Sequence, residues 1–155
     1  MVSDTVLDAM HAALAGVSGA AVLGAADVPE LRRNETLDSA LEAVSDGASA
    51  WSNFVDGDLE RIGEAMGGDY AYELRQSALV EIVVRAPEDA GRRAALAAIV
   101  DLYQDAIEAD PTLAGSVSVW EITDLQRDNL AETGVPNIKG ATLTLSAEFI
   151  ADRPI

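Results

Sequence analysis

The chain has 155 residues and 16.2 kDa, with 49% hydrophobic residues and a mean hydropathy of +0.12. That is the length and apolar content of one domain around a single core, which excludes chain-wide disorder. Its longest apolar runs, such as 94–100, fall far short of the roughly 20 residues a membrane-spanning helix needs. With no cysteine there is no disulfide frame, thiolate zinc site, iron–sulfur cluster or cysteine nucleophile. The 10 basic residues against 27 acidic ones leave a net charge of -17, which argues against wrapping nucleic acid through clustered Lys and Arg.

In chain order, Val6, Leu7, Met10 and Leu14 recur at intervals of three and four, so 3–15 is an amphipathic helix with Ser3 and Asp4 free to cap its start. Asp4, Asp8 and His11 interrupt the apolar run a secretory signal requires, and the expectation is a protein made and kept in a cytoplasm. Gly16-Val17-Ser18-Gly19 ends the helix. The pattern then weakens, and the spacing predicts a short strand over 31–34, a helix over 37–44 and a strand over 48–55. From Tyr70 to Arg85, apolar and polar residues alternate as in a strand with one buried face. Gln76 alone breaks the apolar side, where a bulge or bend is expected.

Ala86-Pro87-Glu88-Asp89 opens a helix that runs to about Ala109, with an apolar stripe of Leu96, Ile99, Val100, Tyr103 and Ile107. A strand over 116–125 has an apolar phase that switches between Val119 and Trp120. A polar, extended loop follows over 126–139, then a strand over 140–150 with Ala141, Leu143, Leu145, Ala147 and Phe149 on one side. The tail frays from about residue 151, with Pro154 in it. These elements predict a single-domain α+β layer, with helices packed on one face of a mainly antiparallel sheet. Leu96, Ile99, Tyr103 and Ile107 are expected to pack on Val80, Ile82, Leu143 and Leu145.

Catalytic patterns are sparse. The only histidine, His11, falls on the polar side of the first helix, with no nucleophile at a recognisable spacing. Neither Ser18 nor Ser116 stands in Gly-x-Ser-x-Gly, and no Gly-Lys-Ser/Thr loop exists to cradle phosphate. Asp56-Gly57-Asp58-Leu59-Glu60 has carboxylates at alternate positions like the start of a calcium loop. The sixth position is Arg61 in place of glycine and the twelfth is Gly67 in place of glutamate, so a hairpin or loop tip with solvated acids is the better reading. Asp101, Asp105 and Glu108 read as a solvated helix face, and Trp51, Trp120, Tyr70 and Tyr72 as sheet packing. The residues therefore point to no enzyme, cofactor or metal.

A resemblance reaches further. The helical run 96–108, the turn Ala109-Asp110-Pro111-Thr112-Leu113-Ala114-Gly115, the strand 117–123 and the closing strand Gly140-Ala141-Thr142-Leu143-Thr144-Leu145 resemble the C-terminal half of phage tail terminator proteins. Leu31-Arg32-Arg33-Asn34, the Asp56-Gly57-Asp58 corner and Leu79-Val80-Glu81-Ile82-Val83-Val84 are similar to that family in order and spacing. The resemblance implies a virion structural protein of a tailed phage or a phage-derived gene transfer particle. Such a protein forms a hexameric ring at the head–tail junction, with the tail-tube protein on one face and the head-completion or neck protein on the other, and DNA passes through it without specific binding. The candidate subunit or ring contacts are Arg32, Arg33 and Asn34, together with Asp128, Asn129, Glu132 and Asn137 in the polar loop. A tail-tube or neck-completion subunit is the nearest alternative, and an acidic metal-binding enzyme a more distant one. The acidity suits a bore to which DNA does not stick, and suits plain solubility equally.

Overall fold

A computed structural model describes residues 2–19, 28–65, 71–130 and 133–153. Its elements are α1 (Val2–Ala15), β1 (Leu31–Arg33), α2 (Leu37–Ser45), β2 (Ala50–Ala65), β3 (Ala71–Arg85), α3 (Asp89–Ala109), β4 (Val119–Asp128) and β5 (Ile138–Ala151). The strands form one five-stranded sheet in the order β1-β2-β3-β5-β4, antiparallel except where β1 runs parallel to β2. The α+β class expected from the sequence is the observed one. Tyr70 and Pro154 lie outside the described residues.

Alternation builds the centre. On β3, Leu74, Ala78, Val80, Ile82 and Val84 point to one face, and on β5 Ala141, Leu143, Leu145, Ala147 and Phe149 do the same. The stripe Leu96, Ile99, Tyr103 and Ile107 of α3 lies on that face beside Val6, Leu7, Met10 and Leu14 of α1, in one buried cluster. Each buried Val, Leu, Ile, Phe or Met among them contributes about 1.5–3 kcal/mol by leaving water. The Tyr103 hydroxyl finds Ser52 Oγ at 2.8 Å beneath the helix, while burial pushes its phenol pKa up.

The short helix α2, capped by Thr36 Oγ1 accepting from Ser39 N at 3.3 Å, sits on the opposite face. There Ala40 and Val44 cover Trp51, Val83 and Ile138 in a second cluster. The run Ile82-Val83-Val84 is buried throughout because helices cover both sides of this end of the sheet.

β2 is twice the expected length. Its second half escapes a simple period because the register slips between Asp56 and Leu59 and again between Arg61 and Gly63. The Asp56–Glu60 stretch is thus neither a hairpin tip nor a calcium loop but a strand interior containing a bulge, with Gly57 and Asp58 opposing Ser77. Before the bulge Ser52 and Phe54 face α3 and α1; after it Leu59 does, having changed phase by one residue. β4 behaves alike. Its phase switch lies at Thr123, between Ile122 and Asp124, rather than at Val119 and Trp120. Residues 116–118 belong to the turn before β4, where Asp110 Oδ1 accepts from Ala114 N at 2.9 Å and Trp120 Nε1 donates to Asp110 O at 2.6 Å.

Gln76 explains the first bulge. Fully buried, it directs its amide Nε2 to the carbonyls of Gly57 and Ser77 at 2.9 Å and of Asp58 at 3.3 Å, while its Oε1 accepts from Ser3 Oγ of α1. One side chain thereby supplies donors to the bulge carbonyls and ties down the start of α1. Gly57 is required because a Cβ there would stand 2.5 Å from Ser77 O and 2.7 Å from its carbonyl carbon. Gln76→Leu, close in volume, should lower unfolding free energy by about 2–4 kcal/mol by stranding these polar groups. Gly57→Ala should cost about 1–3 kcal/mol through overpacking against backbone. Urea melts would check both; a wild-type midpoint for Gln76→Leu would refute the role given to the amide.

Candidate interaction surfaces

Most of the residues singled out as contacts fall on opposite edges of the sheet. The register Leu31–Ser52–Ile82–Ala141–Arg127 crosses all five strands, so β1 and the end of β4 are about 19 Å apart at the usual strand spacing. Arg32, Arg33 and Asn34 therefore form one side of the molecule, Asp128 and Asn129 lie at the other, and Asn137 sits between them at the end of the central strands, beside Ala86 and Ser49. Glu132 lies outside the described residues.

On the β1 side the residues are largely spoken for. The Arg33 guanidinium reaches Asp56 through Nε (2.9 Å) and Nη2 (3.2 Å), and Asp8 of α1 through Nη1 (2.6 Å), and it lies 5.8 Å from the Phe54 ring centroid. Hydrogen bonds to Asp56 and then Asp8 raise its pKa further above the usual value. Asn34 adopts a left-handed backbone (φ 53°) and its Oδ1 accepts from Asp56 N at 2.9 Å. Both residues thus fasten β1 and α1 to β2. Only Arg32, paired loosely with Glu35 at 3.4 Å, projects outward. His11, placed by the sequence on a polar helix side, is half-buried here: its Nε2 lies 2.9 Å from Leu31 O and its ring meets Phe54 edge-on at 5.6 Å.

On the other side, β4 extends to Asp128 and β5 begins at Ile138, which shortens the loop to 129–137. It is pinned rather than extended. Asp128 Oδ1 accepts from Leu130 N at 2.9 Å, Thr133 Oγ1 donates to Leu130 O at 2.7 Å, and Leu130 and Val135 pack on the cluster under α2. Leu130 rests against Gly140, where a Cβ would approach its Cδ1 to 2.9 Å. Asn129 and Asn137 remain exposed, and the Asn137 carbonyl accepts from Ala86 N at 3.0 Å.

The sheet face opposite α1 and α3 is open beyond the cover of α2. Its shallow hollow of about 350 Å³ is lined by Glu60, Arg75, Glu121, Glu148 and small hydroxyl residues. Arg75 bridges Glu60 at 2.8 Å and Glu148 at 2.9 Å, and these partners, Glu148 foremost, raise its pKa. Among the described residues no group of three or more His, Cys, Asp and Glu side chains is placed to hold a metal ion. What the sequence reading passed over is the basic side chains Arg93, Arg127 and Lys139 converging beside α3. The available signal was scarcity, since only 10 basic residues stand among 155.

No protein-family model and no curated protein matches the sequence.

Asp56 offers a test of the β1 fastening. Partial burial pushes its carboxyl pKa up, but hydrogen bonds with Arg33 and Asn34 outweigh this and hold it below the ordinary value. A carboxyl lowered by folding contributes stability above its unfolded pKa, about 3.9, and that contribution is lost as pH falls through the folded value. At this exposure it amounts to about 1 kcal/mol or less. Asp56→Asn should be less stable than wild type at neutral pH, with the gap closing in the acid range below about pH 4. Thermal melts at several pH values would show it, and a gap that widens on acidification would contradict the assignment.

Proposed function

We propose that the chain is a virion structural protein of the tail-terminator kind. Its copies would form a hexameric ring that ends tail-tube polymerisation and joins the tail to neck proteins. The observation that carries this reading is the two-sidedness of the subunit: the short strand β1 at one lateral edge of the sheet, β4 at the other, and between them a face covered in part by α2 and open beyond it. A closed ring is built from heterologous contacts, which need unlike surfaces on opposite flanks. The segments bearing the family resemblance, from β1 through the bulge at Gly57 to β5, are consecutive parts of this one sheet-and-helix unit.

The charge supports the same reading. Six copies at -17 would carry on the order of -100 charges, and carboxylates lining a bore would repel passing phosphates over a Debye length of about 8 Å. A tail-tube subunit is the second reading, since unlike surfaces on opposite flanks would equally serve a ring that goes on to stack, and the extent of assembly separates the two.

Removing the gene from its particle should give filled heads without tails, together with tail tubes of uncontrolled length; normal tailed particles would refute the reading. Purified protein viewed by negative stain should stop at single rings, whereas long tubes would favour the second reading. Fluorescence polarisation with duplex DNA at about 0.15 M salt should show no binding. Retention of DNA under those conditions would remove the non-adhesive bore.

A further inference from the structure

Beside α3, the edge of the sheet forms a groove of about 160 Å³. Its floor is Leu96 and Val100 of α3 with Leu125 of β4, and its rim carries Arg93, Arg127 and Lys139 against two acids, Asp101 in the lining and Asp89 beside it. The helical residues fall in one stripe, and Arg127 pairs in register with Ala141 on the same sheet face. Lys139 Nζ and Arg93 Nε share Asp89, at 3.4 and 2.9 Å, and Arg92 Nη2 approaches the same carboxylate at 3.8 Å. The Arg127 side chain has no ion-pair or hydrogen-bond partner among the described residues. In a chain of net charge -17, a groove rimmed by three cations is a local reversal of sign.

Size and charge define what fits. A cavity of about 150 Å³ accepts a benzene-sized group, so this groove takes one aliphatic side chain and not a helix or a nucleotide. Its rim selects a carboxylate beside that side chain. A second copy of the chain supplies such a pair. Leu37, 41% exposed at the start of α2, is followed by Asp38 and preceded by Glu35. The same molecule's Leu37 cannot reach, because α2 follows β1 at the far edge of the sheet and covers the opposite face.

We infer that the α3–β4 groove seats Leu37 of a second copy, with Asp38 of that copy facing Arg127, as the head-to-tail contact between subunits. The choice of a second copy as occupant rests on the ring reading above. Unlike patches on opposite flanks make the contact heterologous, so it propagates around a ring.

The absence of native cysteine makes the test direct. Ala97→Cys places a thiol on the exposed groove wall and Leu37→Cys one on the proposed knob. Mixed under mild oxidation, the two single variants should form a heterodimer faster than either forms a homodimer. It should also form faster than the pairing of Leu37→Cys with a control, Glu121→Cys, on the open sheet face. Adding Arg127→Glu to the groove partner should slow cross-linking by about tenfold or more, as expected when a steering charge is reversed. Asp38→Arg in the knob partner should restore the rate, with circular dichroism verifying each fold. A heterodimer no faster than the control, or charge variants without effect, would overturn the contact. If that happened while sedimentation still found closed rings, the ring reading would survive without it. A chain carrying both cysteines should give a ladder ending at a closed ring. A ladder that runs on without closing would uphold the contact and refute the ring.

Discussion

The fold turns on one buried amide. A sheet whose three central strands run 14 to 16 residues must change direction somewhere, and a bulge is the means by which an antiparallel pair acquires extra twist. A bulge also interrupts the ladder and leaves backbone polar groups to be paired from outside it. Gln76 resolves the conflict by bringing donors to Gly57 O and Asp58 O while its own oxygen accepts from Ser3. The same bulge moves the inward phase of β2 from Ser52 and Phe54 to Leu59, so the apolar surface under α1 continues past it. α1, the bulge and the centre of β3 are thereby coupled at one point, and Gly57 is the only residue type whose backbone could come so near Ser77.

Regular periods were readable and interrupted ones were not. The helices over α1 and α3 and the strands β3 and β5 follow from spacing alone, because nothing breaks their 3.6- or 2-residue repeats. Gln76 was legible as a disruption, although the bulge it marks lies in the facing strand. The second half of β2 was hidden because two register slips and two glycines, Gly57 and Gly63, erase any alternation. α2 was seen as a helix, but its side of the sheet depends on Val83 being buried opposite Ile82, a fact of layering rather than of local pattern. Among the candidate contacts, Arg33 and Asn34 proved to be fasteners because Asp8 and Asp56, distant in sequence, converge on them. In the polar loop, Leu130 and Val135 were the overlooked residues: two apolar side chains among polar ones mark where a loop is held down.

The edges of the sheet constrain how copies could meet. An exposed strand is a template for backbone pairing, and proteins discourage this with charges and bulges. β4 carries Glu121, Asp124, Arg127 and Asp128 along its edge and bulges at Thr123, while β1 offers only three residues. Extension of the sheet from copy to copy is therefore disfavoured at both ends. Association is left to side chains, and the open face offers both the Glu60–Arg75–Glu148 bridge and the exposed apolar side chains Leu79, Val119 and Ile150.

Charge then sets the balance. Subunits at -17 repel one another, and this repulsion acts between solvated surfaces, where salt screens it beyond about 8 Å at physiological strength. A contact seated in the α3–β4 groove is short-range and partly withdrawn from water, so salt weakens it much less. Added salt thus relieves the long-range term before it erodes the local one, and for the proposed ring the two together favour assembly at moderate rather than very low ionic strength. The scarcity of cations gives the same arrangement its selectivity. In a chain of net charge -17, a patch holding Arg93, Arg127 and Lys139 attracts an acidic neighbour, and many misaligned approaches meet carboxylate on carboxylate.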